Sequence, residues 1–349
     1  MGPKLGIVKD PAYLTHKTGL SHPESPERLA AVYGMLDREF SSQLFFFDPS
    51  PATLEQIELA HSPAHVQLVL ATARRAFTNL ASDTTASANS CHAAWLAAGG
   101  CLRGLEAVLS GQCPICFALV RPPGHHALGG QAGGFCIFNN LAVTAAWARA
   151  ALGLKRVLIV DWDVHHGNGI QDIFYRDPGV FYFSTHYFQA YPHTGDWEDV
   201  GMGRGAGYTM NVCLPYDASD ADVLSLYREV LPQVVEGYEP ELILVAAGFD
   251  AHKEDPLGST QLSEEAFAGL GALVRRLGPE RGVPLMLALE GGYNPEALAA
   301  SVRQTLLGLL GLGQGEEILA RARSERGIAL VRKARQVHGI YGVWMGGMM

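Results

Sequence analysis

The sequence of 349 residues predicts one α/β domain, a doubly wound and mostly parallel sheet with helices on both faces. Three observations lead there. Short β-branched runs alternate with stretches whose apolar residues recur every three or four positions, the mark of strands and helices in alternation. No period of about 20 to 50 residues repeats, and no Pro/Ser/Gly-rich linker divides the chain. Hydrophobic residues make up 48% and charged residues 17%, a composition that excludes disordered and collagen-like chains.

Helical patterns come first, at residues 26–38, 53–74 and 90–109. A buried strand is expected at 114–120 (PICFALV) and a helix at 140–152. Strands at 156–160 (RVLIV) and 180–184 (VFYFS) follow, then a helix at 220–236. The pattern closes with a strand at 242–246 (LILVA), a helix at 263–277, a strand at 284–289 (PLMLAL) and a helix at 295–310. Continuous apolar runs of this length suit parallel strands covered on both faces. Residues 311–349 read as a C-terminal helix and an apolar tail (341–349, YGVWMGGMM) without a period. The tail has two open readings, a frayed end or a dock on a second copy in a homo-oligomer.

Asp and Glu outnumber Lys and Arg by 35 to 26, a formal net charge of −9. With no local basic run, nucleic acid is not expected as a partner. The N-terminal stretch lacks the apolar run of a signal peptide, and the longest apolar runs are far below membrane-spanning length. A cytoplasmic protein without membrane contact is expected. The cysteines Cys91, Cys101, Cys113, Cys116, Cys136 and Cys213 mostly sit among apolar residues, where a free thiol behaves as a small hydrophobe. Cys113-Pro-Ile-Cys116 has metal-like spacing, but no second pair is present to complete a structural zinc site.

Ligands of open α/β sheets bind beyond the carboxyl ends of the strands, and the unusual polar residues gather there. RVLIV runs into Asp161-Trp-Asp163-Val-His165-His166-Gly-Asn168. Residues 161, 163 and 165 alternate, so extended backbone projects them to one side. Two carboxylates and an imidazole on one face are costly to bury without a cation between them. LILVA leads to Asp250, PLMLAL to Glu290-Gly-Gly-Tyr293, and PICFALV to Arg121-Pro-Pro-Gly-His125-His126. Asp163, His165 and Asp250 form three ligands with an open position, the form of a catalytic zinc site. Two carboxylates neutralise Zn²⁺, so the bound water is less acidified than in a three-histidine site and a base is useful. His126 is the candidate base, with His125 beside it. Tyr293 would donate its O–H to the oxyanion formed when water attacks an amide carbonyl. No G-x-S-x-G nucleophile elbow is present. The parts describe metal-assisted hydrolysis of an amide.

The stretches HPESPER (22–28), RPPGHH (121–126), GGFCIFNN (133–140), VDWDVHHGNG (160–169), AGFDAHKEDPLG (247–258) and EGGY (290–293) span roughly residues 20–310. In these the chain resembles the histone deacetylase family, in its class II-like bacterial branch, with the arginase/deacetylase fold. The resemblance implies one Zn²⁺ on Asp163, His165 and Asp250, with His126 as general base. It implies His125 as electrostatic partner and Tyr293 as the residue that polarises the carbonyl. It places Asp161 behind His125 and Asn168 behind His126; the asparagine follows the class II pattern and orients the imidazole without raising its basicity as an aspartate would. A structural potassium ion is implied at Asp161, Asp163, His165, Ser184 and Thr185, and a second near Phe174, Asp177, Val180 and Tyr208. The implied substrate tunnel is lined by Gly134, Phe135 and Tyr191, where phenylalanine is commoner at the last, with Leu257 at the mouth. His193 stands where glycine is usual. Arg28 matches an arginine lining an internal channel proposed for acetate release, with a structural salt bridge as its other role. The implied activity is zinc-dependent removal of acetyl or other acyl groups from lysine side chains of a protein or peptide. The alternative is an acetylpolyamine amidohydrolase acting on a small acylated amine; Leu257, where polyamine-specific relatives can carry a glutamate, favours the first. A non-catalytic acyl-lysine binder is a third reading, and a binuclear manganese ureohydrolase a distant fourth.

Other residues have plainer readings. His166 is expected to point away from the ligands and to be buried, and His252 to be a loop residue. His61 and His65 are expected to pack or cap, and the glycine run at 201–207 to be a flexible loop, since it follows polar residues rather than a strand. Glu24 and Glu27 are expected to cap or solvate the first helix.

Overall fold

The computed structural model describes residues 5–40 and 43–342. The chain begins with β1 (Leu5–Val8), α1 (Pro26–Glu39) and β2 (Leu44–Phe47), then α2 (Leu54–Glu58) and α3 (Pro63–Thr72). A small antiparallel hairpin, β3 (Phe77–Asn79) and β4 (Thr85–Ser87), leads to α4 (Ser90–Leu109), β5 (Ile115–Ala118) and α5 (Asn140–Ala150). Next come β6 (Val157–Asp161), α6 (Asn168–Phe174), β7 (Val180–His186) and β8 (Thr209–Cys213). The remainder is α7 (Asp220–Tyr238), β9 (Leu242–Ala247), α8 (Glu264–Leu277), β10 (Leu285–Leu289), α9 (Pro295–Leu310), α10 (Gly315–Arg321) and α11 (Glu325–His338).

Eight strands form one sheet in the order β2-β1-β5-β10-β9-β6-β7-β8. Every pairing in it is parallel. The expected doubly wound α/β domain is therefore what the chain adopts. β5, β6, β9 and β10 are buried at every residue, which is why each reads as an apolar run, broken only by Asp161 at the end of β6. They occupy the centre of the sheet. The chain leaves β5 for β6 across a gap that β9 and β10 later fill, so four carboxyl ends meet at one crevice.

Some elements differ from expectation. The helix expected over 53–74 is divided: Pro63 cannot extend α2, and Ser62 caps α3 by accepting the His65 N–H at 3.3 Å. β1, β2 and β8 were not anticipated. β1 and β2 are only four residues long, and β8 carries Thr209 and Asn211, which break an apolar run. The C-terminal region holds two helices, α10 and α11, rather than one; residues 343–349 of the expected tail lie outside the described residues. The 201–207 glycine run is a loop with a single 3₁₀ turn (Gly203–Gly205). All six cysteines are free, and only Cys213 is partly exposed. Among the described residues, no helix is long and apolar enough to cross a membrane.

Candidate active site

β6 delivers Asp161 at its end and Asp163 and His165 just beyond it, while the turn after β9 delivers Asp250. Asp163, His165 and Asp250 are all buried, with potential ligand atoms within 4.8 Å of one another. His165 Nδ1 lies 3.2 Å from Asp163 Oδ1 and 3.0 Å from Asp250 Oδ2. Backbone N–H groups steady both carboxylates: Gly291 donates to Asp163 Oδ2 at 2.9 Å, and Val164 to Asp250 Oδ1 at 2.9 Å. Two glycines leave the space they need. A Cβ on Gly248 would lie 2.0 Å from Asp163 Oδ2, and one on Gly291 2.0 Å from Asp250 Oδ2.

Three titratable groups crowd one another in this buried spot. Burial disfavours a charged His165, yet Asp250 and Asp163 outweigh it and lift the imidazole to about 10. Burial, with Asp163 nearby, pushes Asp250 up to about 7. Two carboxylates buried this close together fit around a divalent ion. Two carboxylate oxygens and one imidazole nitrogen are a donor set that zinc takes, with a position left for water or substrate.

The two histidines stand on the loop after β5, pinned by a residue whose part was not read from sequence. Glu290 Oε2 accepts the N–H groups of Gly124 at 2.7 Å and His125 at 3.1 Å. His125 Nδ1 is 3.1 Å from Asp161 Oδ2, which also accepts the Tyr182 O–H at 2.9 Å. His126 Nδ1 is 2.8 Å from Asn168 Oδ1 at the start of α6. The rings lie 4.0 Å apart but titrate in opposite senses. Burial lowers both, and for His125 the carboxylates of Asp163 and Asp161 prevail, lifting it to about 10. His126 stays well below the ordinary value, held down by burial and by His125 and His165. The surroundings thus favour the charged form of His125 and the neutral form of His126. With its Nδ1–H donated to Asn168, His126 has a basic Nε2 free.

A cleft of about 420 Å³ leads to these groups, with Tyr293, His165 and His126 along it and Phe135, Tyr191 and Leu257 higher up. The Phe135 ring meets Tyr293 edge-to-face at 5.7 Å, and Tyr191 meets His126 at 4.9 Å. Gly134 turns the chain at φ +56, and a Cβ there would sit 2.3 Å from His126 Cδ2. Burial, reinforced by Asp250, holds the Tyr293 phenol well above its usual range, so it remains a donor. Asp83, also lining the cleft, was missed in sequence; its carboxylate accepts the Gly134 N–H at 3.1 and 3.2 Å. Nothing in its polar S-D-T-T setting marks it out. Larger grooves of about 610, 490 and 470 Å³ lie elsewhere, but none gathers a comparable set of histidines and carboxylates.

The profile of the histone deacetylase domain matches residues 22–309. This chain belongs to the histone deacetylase family. It is similar to a probable deacetylase of Archaeoglobus fulgidus, 35% identical over 319 residues that cover 90% of this chain and 88% of that protein. It is 38% identical to histone deacetylase 10, chloroplastic, of Oryza sativa subsp. japonica, covering 83% of this chain and 70% of the rice protein. With the human polyamine deacetylase HDAC10 the identity is 40%, over 82% of this chain and 44% of that protein. The crystal structure of the HDA15 HD domain superposes with a TM-score of 0.90 at 34% identity, covering 97% of this chain and 95% of that one. Family membership makes this chain a hydrolytic deacetylase.

Within this deacetylase, the other residues singled out in sequence fall as follows. Ser184 and Thr185 lie on β7 next to the end of β6; Ser184 Oγ is 2.8 Å from His186 Nδ1, and Thr185 Oγ1 is 2.9 Å from the Tyr227 hydroxyl. Phe174, Asp177, Val180 and Tyr208 lie at the opposite end of β7, where the Asp177 carboxylate pairs with Arg149. His166 is buried, with its nitrogens 2.8 Å from Thr194 Oγ1 and 2.9 Å from Gln171 Oε1. His252 lies in the loop after β9, 3.4 Å from Glu264. His61 and His65 pack against Phe138, with nitrogens 3.1 Å from Leu128 O and 2.8 Å from Ile137 O. His193 adopts φ +61, a conformation that glycine takes more easily.

Glu24 departs from expectation. It neither caps nor solvates α1 but is 0% exposed, binding Arg28 at 2.8 Å and Arg121 at 2.5 and 2.7 Å. A carboxylate between two buried guanidiniums has no need of solvent. Glu27, one helical turn along, is exposed. For Arg28 the structure therefore shows the salt bridge. Its guanidinium also donates to Gly292 O and, at 2.7 Å, to Glu290 O, and lies 4.6 Å from the centre of the Tyr293 ring.

Proposed function

We propose that this protein is a zinc-dependent, cytoplasmic amidohydrolase that removes acetyl or other acyl groups from lysine side chains. The observation that carries the reading is the convergence, at the foot of one cleft, of the Asp163–His165–Asp250 trio, the His125–His126 pair and Tyr293. Asp163, His165 and Asp250 would hold the metal, which when bound supplies Lewis-acid activation of water and of the scissile carbonyl. His126 takes the proton of the attacking water on Nε2 and passes it to the leaving amine, while Asn168 fixes its tautomer. His125, its charged form favoured by Asp163 and Asp161, stabilises the negative charge that develops and keeps His126 from protonating early. Tyr293 donates its O–H to the substrate oxygen as that oxygen becomes anionic. Phe135 and Tyr191 face the aliphatic chain of the acyl-lysine and exclude water from it. Structural potassium ions belong to the same proposal, one by Asp161, Asp163, His165, Ser184 and Thr185, the other by Phe174, Asp177, Val180 and Tyr208.

Acetylated polyamines are the second reading, favoured by the name of the human relative. Leu257 at the cleft mouth speaks against it, since an apolar side chain offers no partner to a distal ammonium. The test compares kcat/KM of the zinc-loaded protein on acetyl-lysine peptides, N-acetylputrescine and N8-acetylspermidine. Peptides are expected to be preferred, and Leu257→Glu to narrow the gap. A wild-type preference for the polyamines replaces the leading reading with the second. Failure to hydrolyse any amide with zinc fully bound would indicate an acyl-lysine binder instead.

A further inference from the structure

We infer that Asp255 is a positioning residue, whose single carboxylate sets Tyr293 at the depth of the cleft and Leu257 at its mouth in one register. The inference rests on the reading of Tyr293 as donor to the substrate carbonyl. Asp255 is 9% exposed and lies in the loop between Asp250 and α8. Its Oδ2 accepts the Tyr293 N–H at 2.5 Å, and its Oδ1 accepts the Leu257 N–H at 2.9 Å. A second stitch runs beside the first: Asn294 Nδ2 donates to Glu254 O at 3.1 Å, while Asn294 Oδ1 caps α9.

Tyr293 needs such a hold because of what precedes it. Gly291 and Gly292 form a hinge with little intrinsic stiffness, and Gly292 sits at φ +118, where side chains are rarely found. Arg28 binds the carbonyl side of that hinge, at Glu290 O and Gly292 O. Asp255 binds the N–H side. A cation on the C=O groups and an anion on the N–H leave the hinge one orientation, and the phenol at the end of the side chain magnifies any rotation.

The loop that carries Asp255 can transmit position because it is itself tight. Asp255 N–H donates to His252 O at 2.9 Å, and a Cβ on Gly258 would lie 2.2 Å from Asp250 O. Substrate pressing on Leu257, 36% exposed at the mouth, therefore bears on the same carboxylate that orients Tyr293.

The test is a double-mutant cycle on zinc-loaded protein. Asp255→Ala is expected to lower kcat by about 10- to 100-fold, the scale of an ångström-sized misplacement, with zinc content unchanged. Asp255→Asn keeps the shape but turns an amide N–H₂ toward one of the two donors, and is expected to lose less. The decisive readout is the Tyr293→Phe background, where either Asp255 change should cost nothing further in kcat, because the hydroxyl being positioned is gone. A general structural role would instead cost the same factor in both backgrounds, and that result overturns the inference. So does parent kcat in both Asp255 variants when Tyr293→Phe is slow. Parent kcat in Tyr293→Phe would instead remove the reading on which the inference stands.

Discussion

Gly291→Ala probes the space around the proposed metal ligands with one methyl group. The new Cβ would lie 2.0 Å from Asp250 Oδ2 and 2.6 Å from Asp163 Oδ2. Real Cβ atoms keep at least 3.0 Å, so the two oxygens must retreat by about 1.0 and 0.4 Å or the hinge must move. Neither carboxylate is free to do so. Asp163 Oδ1 accepts the His165 N–H at 2.9 Å, its Oδ2 is bound to the N–H of Gly291 itself, and Asp250 Oδ1 is held by Val164. Loss of a group that merely supports a ligand costs about 10- to 100-fold in metal affinity. Displacing two ligands should cost at least the upper figure, about 3 kcal/mol. Zinc affinity measured by chelator competition checks this, with melting curves taken in excess chelator to separate fold from metal. Gly130→Ala is the control, since its nearest neighbour would be Ser62 Oγ at 3.8 Å. Unchanged zinc affinity in Gly291→Ala would refute the reasoning that the carboxylates and the hinge are held too tightly to make room.

Further outcomes are expected from other sites. Asp250→Ala should abolish metal binding by elemental analysis while leaving the far-UV circular dichroism intact. His126→Ala should cost about 10² to 10⁴ in kcat with zinc retained, the usual range for a general base. Tyr293→Phe should cost about 10² to 10³ as the loss of an oxyanion donor; steady-state rates on one acetyl-lysine peptide decide both. Stability should fall in acid through His61, which burial and then His65 lower from 6.5 to about 3. Its Nε2 accepts the Asn139 N–H at 2.8 Å, so the folded state needs it neutral, whereas the unfolded chain protonates it below 6.5. The stability it contributes is complete above that pH and is lost toward about 3, at up to about 1.4 kcal/mol per pH unit. Urea melts at about pH 7 and pH 5 should show a shallower loss in His61→Asn than in the parent; equal slopes would exclude the linkage.

The central strands and the residues that follow them were legible from the chain alone because both signals are local. A strand covered on both faces reads as an apolar run, as residues 157–160 and Leu242–Ala247 do. The alternation of Asp161, Asp163 and His165 beyond one of them needs only the geometry of extended backbone. The break at Ser62-Pro63 was also written locally, in a cap followed by proline, but the apolar periodicity on either side of it obscured it. What the folded chain alone decided is which charges and donors meet. Glu24 beside the first helix looks like a solvated acid until Arg121, 97 residues away, closes on it, and Glu290 looks like a turn residue until Gly124, 166 residues away, donates to it. Asp83 joins the cleft through Gly134, 51 residues on. A carboxylate has the same local pattern whether water or a distant guanidinium neutralises it, and the difference between the two lies wholly in distances that folding creates.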